Sequence, residues 1–442
     1  MILLACLRAL AKSKEDLKFR MYESIVLILF FIIIISLTVY QFIPEIVVKY
    51  LGLGSWKRQY SPGVSLTFDD GPDPRYTPLL LNILKKNNIQ ACFFVLGEKA
   101  EKYPHLVKSI YDDGHIIGSH GYCHQHAWTM SPLKTWRSWD KSIAEIRRAI
   151  GEETQFIRSP WGSINLALII WCLLKKKRIV SWNATGKDWR RNNTPESIIS
   201  KISQRMAEGS IVLLHDSGGE QGAPDNTIAC IEQLCRHIRE VHKLPIIGLQ
   251  FPTWSVFRRL SFRIWEKWER LYAQFKKIKR IDDNNLFRLG LTHYQGPDLL
   301  NDKGEILATK GDIIGEIHLD NIRFQLIGDD LQNIGLRALK QIRLSLPSLV
   351  KYIANNPDYN QVKVYIGVTM LNKGVKGLGF NVEDFPIHNG YIIGFFQKII
   401  MFIYHPLGSQ RKTSTLGNKP KLVWISKEKL IEKYFLREKV LM

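Results

Sequence analysis

Cysteine is scarce in this 442-residue chain, and the six present, at positions 6, 92, 123, 172, 230 and 235, form no CxxC pair and no framework spacing. A disulfide scaffold is therefore not what organises the chain, and a protein of this size does not need one. Cys230 and Cys235 fall on one predicted helix, about 140° apart around its axis, which argues against a bond between them. Acidic residues are also few, 41 against 62 Lys and Arg, so the formal charge is +21. Such a balance implies an anionic partner, whether nucleic acid, anionic lipid or an acidic wall polymer. A nucleic-acid readout motif is absent. Apolar residues are not in short supply: at 45% of the chain they can fill real cores, and the length allows two or three domains.

Residues Ile25 to Val39 are apolar except Ser36 and Thr38, and with Ser24 and Tyr40 to Ile43 the run 24–43 reaches the length of about 20 residues that a bilayer-spanning helix needs. Arg8, Lys12, Lys14, Lys18 and Arg20 precede it against Glu15 and Asp16. By the positive-inside rule residues 1–23 stay in the cytoplasm, and everything after Pro44 lies outside. The run is too long for a secretory h-region and no small-x-small site follows, so an uncleaved anchor in the cell membrane is expected, with a buried core helix as the competing reading. The stretch 44–63, and Lys49 to Pro62 in particular, reads as a short tether that spans at most about 50 Å when extended.

Beyond the tether, Ser65, Leu66, Thr67 and Phe68 look like a buried strand that runs into Asp69 and Asp70 and breaks at Gly71 and Pro72. Two carboxylates at a strand's C-terminal end, fanned into one cavity by the turn, need a cation or a shared proton between them. The plainer reading is an exposed turn. Strand and helix then alternate. Strands are expected at Val64 to Phe68, Ala91 to Leu96, Phe156 to Arg158, Ile179 to Trp182, Ile211 to Leu214 and Ile246 to Leu249. Helices are expected at Tyr76 to Lys86, Lys99 to Asp113, Pro132 to Ile150 and from Thr194 onward. Repeated β-α units over 64–251 argue for a parallel sheet, either barrel or doubly wound.

Residues 252–281 read as a basic amphipathic linker helix. Its stripe of Val256, Leu260, Ile264, Trp268, Leu271, Phe275 and Ile278, with Trp254 and Trp265, either lies on an anionic membrane or packs between two domains. Residues 282–442 read as an accessory α+β domain of unknown role. It is expected to carry strands at Asp312 to Leu319 and Lys363 to Thr369, helices at Leu331 to Ala354 and Ser426 to Phe435, and an apolar core segment at Tyr391 to Tyr404. His293, His318 and His388 have no ligand spacing and read as structural.

His120 and His124 follow the Asp pair by about 50 residues, and an i, i+4 spacing places two imidazoles on one face of a helical turn, where they can grip a metal. Two histidines and one carboxylate leave an open position for water, the arrangement of a hydrolytic zinc centre. His126 is an alternative ligand, and Cys123 an optional thiolate. Three more strand-end signals follow: Arg158 to Gly162, Lys187 to Trp189, and Leu213 to Asp216, where His215 has the place of a general acid or base.

Taken in order, Thr67 to Pro72, His120 to His124, Arg158 to Gly162, Asp188 with Trp189, and Leu213 to His215 resemble the five motifs of the polysaccharide deacetylases, carbohydrate esterase family 4 or the NodB-homology domain. The resemblance covers roughly Val64 to Leu249. It implies a distorted, incomplete (β/α) barrel and a metal-dependent N-deacetylation of N-acetylhexosamine polymers. Carried over residue by residue, it makes Asp69 the catalytic base and Asp70, His120 and His124 ligands of a divalent cation, with zinc expected. Arg158 orients Asp69, His215 is the general acid, and Asp188 supports it. Trp189, Leu213 and Pro160 belong to the substrate pocket. Two departures touch substrate detail: Thr185 stands where the family often has Asp, and the second motif begins His120-Gly121 rather than His-Ser or His-Thr. An exported, strongly basic chain points to an envelope polysaccharide, most plausibly peptidoglycan. A lipid-linked sugar and a catalytically dead carbohydrate-binding module are the rivals.

Overall fold

The β-branched and aromatic runs form strands where the sequence places them, and the chain between them coils into helices that cover the sheet. The computed structural model describes residues 2–50, 52, 54–59, 61, 63–251, 256–282, 285–301, 303–320, 334–369, 374–384 and 421–435. Trp254, His388 and the run Tyr391 to Tyr404 lie outside these residues. The chain divides into two units, residues 1–59 with 63–250, and residues 60–62 with 251–442.

In the first unit the strands are β1 (Ser55–Trp56), β2 (Ser65–Asp69), β3 (Cys92–Val95), β4 (Ile116–Ser119), β5 (Phe156–Ile157), β6 (Arg178–Val180), β7 (Ala184–Thr185) and β8 (Ile211–His215). They pair in the order β1-β6-β5-β4-β3-β2-β8-β7, every pair parallel. Neighbours in space are neighbours in sequence along most of this order, as in a (β/α) barrel, but the end strands β1 and β7 do not pair, so the barrel is incomplete. A single antiparallel bridge, Arg58 to Ser210, crosses near the opening. Register decides which side chains face inward. Thr67 pairs with Leu213 and Asp69 with His215. Side chains alternate along a strand, so these four share the inner face while Leu66, Phe68, Val212 and Leu214 share the outer one.

The helices are α1 (Ile2–Leu37), α2 (Ile43–Glu45), α3 (Thr77–Lys86), α4 (Gly97–Lys102), α5 (Pro104–Asp112), α6 (Pro132–Ile150), α7 (Leu166–Leu174), α8 (Pro195–Ser203) and α9 (Ala223–Glu240). Leu80, Leu84, Ile110, Ile198, Ile231 and Leu234 pack on the outer face of the sheet with Leu66, Phe68 and Leu214. Ser131 caps α6 ahead of Pro132, as expected, and Gly151 closes it at φ 81°. The expected single helix over Lys99 to Asp113 is two, because Pro104 lacks the N–H needed to continue the ladder and starts α5 instead. The expected strand at Ile246 to Leu249 is reduced to one bridge between Val64 and Ile246.

Residues Arg20–Lys49 form one helix long and apolar enough to cross a membrane by length and composition. Beyond Leu37 it continues through a π-helical turn at Thr38–Phe42, α2, and a second π-helical stretch at Ile46–Tyr50. The first third of the stretch read as a tether, residues 44–50, is thus helical, and Val48 is buried with Trp139, Leu168 and Trp171.

In the second unit a helix, α10 (Val256–Phe275), precedes a six-stranded sheet. Its strands, in the order of pairing, are Asn381–Asp384, Lys421–Ser426, Val364–Thr369, Ile313–Leu319, Phe287–His293 and Lys279–Arg280. Helices Ile334–Asn355 and Lys427–Tyr434 contribute Leu346, Leu349, Val350 and Leu430 to a core with Leu289, Tyr365 and Ile425. This is the expected α+β architecture. On α10, Ile264, Trp268, Leu271 and Phe275 of the stripe are exposed, whereas Phe262 is buried.

Leu84 is fully buried between α3 and the sheet. Leu84→Ala should therefore destabilise the barrel unit by about 2–5 kcal/mol, the cost of the lost side chain plus the cavity it leaves. Chemical unfolding of the full chain in detergent, followed by tryptophan fluorescence, measures it.

Candidate metal and active site

The motif residues sit at or beyond the C-terminal ends of parallel strands, where a barrel's loops converge. Asp69 is the last residue of β2. Asp70 follows with φ 72°, a left-handed conformation rare for a residue with a side chain, and this turns its carboxylate towards the same space. The stretch from His120 to His124 is a loop and not the expected helical turn. Gly121, at φ 83°, reverses the chain directly after His120, and the loop brings both rings to the same point by another route. That φ accounts for glycine where the related motif has Ser or Thr.

Nε2 of His120 and Nε2 of His124 each lie 3.3 Å from Asp70 Oδ1. The three donor atoms fall within 4.8 Å of one another, and among the described residues this is the one such cluster. His120 Nδ1 lies 2.7 Å from the Arg158 carbonyl oxygen. A carbonyl only accepts, so Nδ1 carries the proton and Nε2 presents a lone pair. That lone pair faces a buried carboxylate oxygen that has no hydrogen-bond partner. Two acceptors face each other at 3.3 Å without a proton between them, which is unfavourable unless a cation sits there. The residues present therefore fit a divalent metal. On the far side Gly218 leaves room for the carboxylate: a Cβ there would lie 2.5 Å from Asp70 Oδ2. When no ion sits between them, burial pushes the Asp70 carboxyl up, but a protonated His120 donating to the carboxylate, with His215 and His124, outweighs it and holds the group well below the usual carboxylate range. Burial lowers the His124 pKa, opposed by Asp70, which keeps its ring neutral and able to ligate at neutral pH. His126 and Cys123 lie outside the cluster. His126 instead accepts from the Trp128 N–H and packs against Trp161.

Two polar pairs flank the triad. Arg158 is fully buried and its Nη1 donates to Asp69 Oδ1 at 2.6 Å and to Thr67 Oγ1 at 2.8 Å. The second Asp69 oxygen is 3.8 Å from His120 Nε2. On the other side His215 Nδ1 lies 3.0 Å from Asp188 Oδ1, while Asp188 Oδ2 accepts from the His215 backbone N–H and from Thr227 Oγ1. Burial would depress the His215 pKa, but the Asp188 carboxylate outweighs it and raises the imidazole to about 9. Trp189 stands edge-on to His215, with ring centroids 5.3 Å apart. Leu213 and Pro160 are buried on the inner side of β8 and at the start of the turn after β5.

Sequence reasoning passed over three supports. Thr67 was read only as part of a strand, yet its hydroxyl accepts from Arg158 and donates to the Val212 carbonyl. Lys99 Nζ donates to the backbone oxygen of Asp70 at 2.7 Å and so holds the strained turn. Asp216 is buried, accepts from Thr77 Oγ1 at 2.5 Å, and is pushed by burial to a pKa of about 7, although Thr77 opposes the shift. Its position beside His215 in an apolar strand end was the available signal.

An open barrel with a carboxylate and two imidazoles at its strand ends is the class of protein defined by this geometry: a (β/α) barrel whose strand ends carry three groups that could hold a metal. Comparison with known proteins narrows it. The family described as Polysaccharide deacetylase matches residues 57–171, and a YkoP domain matches residues 258–434, which takes in α10. A peptidoglycan-N-acetylglucosamine deacetylase of Bacillus cereus is 36% identical over 173 residues, 39% of this chain and 62% of the relative. A second from Bacillus cereus is 32% identical over 179 residues, covering 40% of this chain and 82% of the relative. A peptidoglycan-N-acetylmuramic acid deacetylase of Bacillus subtilis is 29% identical over 153 residues, 35% of this chain and 32% of that one. A crystal structure of a peptidoglycan N-acetylglucosamine deacetylase is similar at 30% identity and a TM-score of 0.42, over 46% of this chain and 94% of the other. The chain belongs to the polysaccharide deacetylase family.

Removing a ligand should remove the ion. Asp70→Asn is expected to weaken divalent-metal affinity by more than about tenfold, the range already seen when only an outer-shell partner is lost. Because the His124 pKa is lowered, protons displace the metal only below the ordinary histidine range, so occupancy should hold at pH 7 and fall as the pH drops through that lowered value. Elemental analysis of the purified chain across pH 4 to 8 measures both.

Proposed function

We propose that the chain is a metal-dependent N-deacetylase that removes acetyl groups from N-acetylhexosamine residues of a cell-envelope polysaccharide, with peptidoglycan the leading substrate. The observation that carries this reading is the convergence of Asp70 Oδ1, His120 Nε2 and His124 Nε2 between a carboxylate held by arginine and an imidazole held by carboxylate. Asp70, His120 and His124 would hold the cation, for which zinc is the natural choice given a carboxylate and two imidazoles. Such an ion supplies Lewis acidity, which acidifies a water and polarises an amide carbonyl.

The chain's own residues then have separable tasks. Arg158 occupies one Asp69 oxygen and aims the carboxylate, so the other oxygen is the proton acceptor for the attacking water. An amide nitrogen does not leave as an anion. His215 Nε2 gives it a proton, while Asp188 holds the Nδ1 proton and stabilises the imidazolium. Trp189, Leu213 and Pro160 form the apolar wall for the acetyl methyl. Relatives of this chain carry the names of peptidoglycan deacetylases of both N-acetylglucosamine and N-acetylmuramic acid, which supports the amide reaction and leaves the sugar to be assigned by assay. A lipid-linked sugar at the bilayer is the second reading, and the docking of the helix end on the barrel unit favours it.

Acetate release from peptidoglycan, chitin oligomers and a lipid-linked N-acetylglucosamine, with and without chelator, tests the proposal; no acetate from any of the three would leave a carbohydrate-binding module. Asp69→Asn should keep the metal and lose about 10²- to 10⁴-fold in kcat, the usual share of a general base. His215 must be protonated to act, and its pKa is raised. The activity it supports is therefore present below pH 9 or so and lost as the pH rises through about 9. In Asp188→Asn that alkaline limb should move down towards the ordinary value near 6.5. A pH profile of kcat that keeps its alkaline limb in the variant refutes the assignment of the acid.

A further inference from the structure

The N-terminal helix meets the barrel unit at its catalytic end. Tyr40 Oη donates to the Met130 carbonyl at 2.9 Å, Gln41 Nε2 donates to the Trp128 carbonyl at 3.0 Å, and the Phe42 ring meets the Trp128 ring edge-on at 4.8 Å. These partners belong to the loop between β4 and α6, which also carries His120 and His124. Further along, the helix runs away from that end. α6 follows β4 and so descends the barrel from the catalytic end. Tyr40 bonds just ahead of its Ser131 cap, whereas Val48 is buried in a cluster with Trp139, about two turns into α6, and Ile143 beyond it. Ser55, which opens β1, donates through Oγ to the Val48 carbonyl at 3.2 Å, and the first residue of a parallel strand lies towards the opposite end. From Tyr40 to Val48 the helix therefore leads from the catalytic end towards the other. Traced backwards from Tyr40, it leads out beyond the catalytic end.

The part that leads out is the apolar run. Residues 21–37 are exposed throughout, and Thr38 is the first that is partly buried. That length, about 25 Å at about 1.5 Å per residue, is close to the roughly 30 Å of a bilayer's hydrocarbon core. With the run in a bilayer, the loop at Trp128 to Met130 stands at headgroup level. The side chains exposed at this end suit that depth: Leu133 in the first turn of α6, Trp136 one turn on, and Trp161 in the turn after β5. Indole rings favour the boundary between membrane and water, where an apolar body and a polar N–H are both accommodated.

The metal triad is close to this boundary. From Phe42, ring contacts lead through Trp128 at 4.8 Å, His126 at 5.6 Å and Trp161 at 5.6 Å to His124 at 4.1 Å. We infer that the metal site opens towards the bilayer crossed by the chain's own anchor, and that it draws on N-acetylhexosamine glycan still attached to a membrane lipid rather than on finished polymer further out. This names the substrate pool of the deacetylase proposed above, and it rests on that reading and on residues 24–43 as a membrane span. A lipid-borne sugar reaches a site that faces the headgroups by lateral diffusion, whereas polymer beyond the opposite end of the barrel has to pass beneath it. Holding enzyme and substrate on one surface also raises their effective concentration.

The orientation is tested on the full chain with Cys6→Ser and Cys123→Ser, the other four cysteines being buried, in vesicles of phosphatidylglycerol and phosphatidylcholine. An environment-sensitive fluorophore is placed in turn at Ile33→Cys in the span, at Leu133→Cys at the start of α6, and at Arg147→Cys in its last turn, about 20 Å further down the same helix. A headgroup-level spin-labelled lipid should quench the label at 133 at least about twofold more than that at 147, while a deep spin label quenches position 33. Equal quenching at 133 and 147, with position 33 quenched, overturns the orientation and leaves the anchor standing. An unquenched position 33 overturns the anchor and this inference with it. The substrate pool is tested with the unsubstituted chain in the same vesicles, by acetate release from a polyprenyl-diphosphate-linked N-acetylglucosamine oligosaccharide placed either in the enzyme's own vesicles or in separate ones, with a soluble chitin oligomer alongside. Release should be at least about tenfold faster when enzyme and lipid-linked sugar share a vesicle. Equal rates overturn the inference, and the deacetylase reading then stands on the soluble oligomer. No acetate from any of these substrates overturns that reading and this inference together.

Discussion

The site depends on one buried cation of the chain itself. The Arg158 guanidinium crosses the barrel interior and finds partners from several strand ends: Thr67 and Asp69 on β2, the Val180 carbonyl on β6, and the Ser181 carbonyl just beyond it. The Phe94 ring of β3 lies 4.1 Å from its centre. Burying an ion costs several kcal/mol, and that cost is offset only where its N–H groups are matched and a counter-charge is close. Here they are matched, so Arg158 can occupy a single place, and the strand ends are fixed with respect to one another by it. The same residue's carbonyl accepts from His120 Nδ1. One residue thus holds the carboxylate beside the metal triad through its side chain and orients a member of the triad through its backbone.

Around this point the ionisable groups are driven in opposite directions by their surroundings. Imidazoles hold Asp70 ionised, and Asp188 holds His215 protonated to a pKa of about 9. Asp216 is pushed to about 7 by burial, against the Thr77 hydroxyl and the charge of Lys99. Groups whose pKa values are separated in this way can accept and give protons at one pH, which is the requirement of an acid-base pair. A carboxylate at Asp216 that is only partly ionised also spares the turn a full third negative charge beside Asp69 and Asp70.

Asp69 and His215 were legible because each ends a strand with a strong apolar signal, and the resemblance assigned to the motif residues an order and a set of tasks. The residues that hold them in place were not, since Thr67, Lys99 and Asp216 act through hydrogen bonds that carry no sequence pattern. The strands β1 and β7 have two residues each, too few for any periodicity to register. The His120 to His124 spacing was read correctly as convergent and wrongly as helical: a loop with a left-handed glycine reaches the same geometry, and spacing alone does not tell the two apart. On α10 the heptad-like stripe was legible, but which face a helix buries depends on its neighbours. There Phe262 is buried, while Ile264, Trp268, Leu271 and Phe275 of the stripe are exposed.

The end of the N-terminal helix carries the last consequence. A tether of 15 residues or so would let a domain roam over roughly 50 Å. A helix end bonded at Tyr40 and Gln41 and buried through Val48 does not permit that freedom. With residues 24–43 in a bilayer, the site is carried at a fixed height, and substrate is chosen first by where it lies. Effective concentration, set by geometry, then does part of the work of affinity. Trp161, 54% exposed and with its ring 4.1 Å from that of His124, stands open beside the triad at that height.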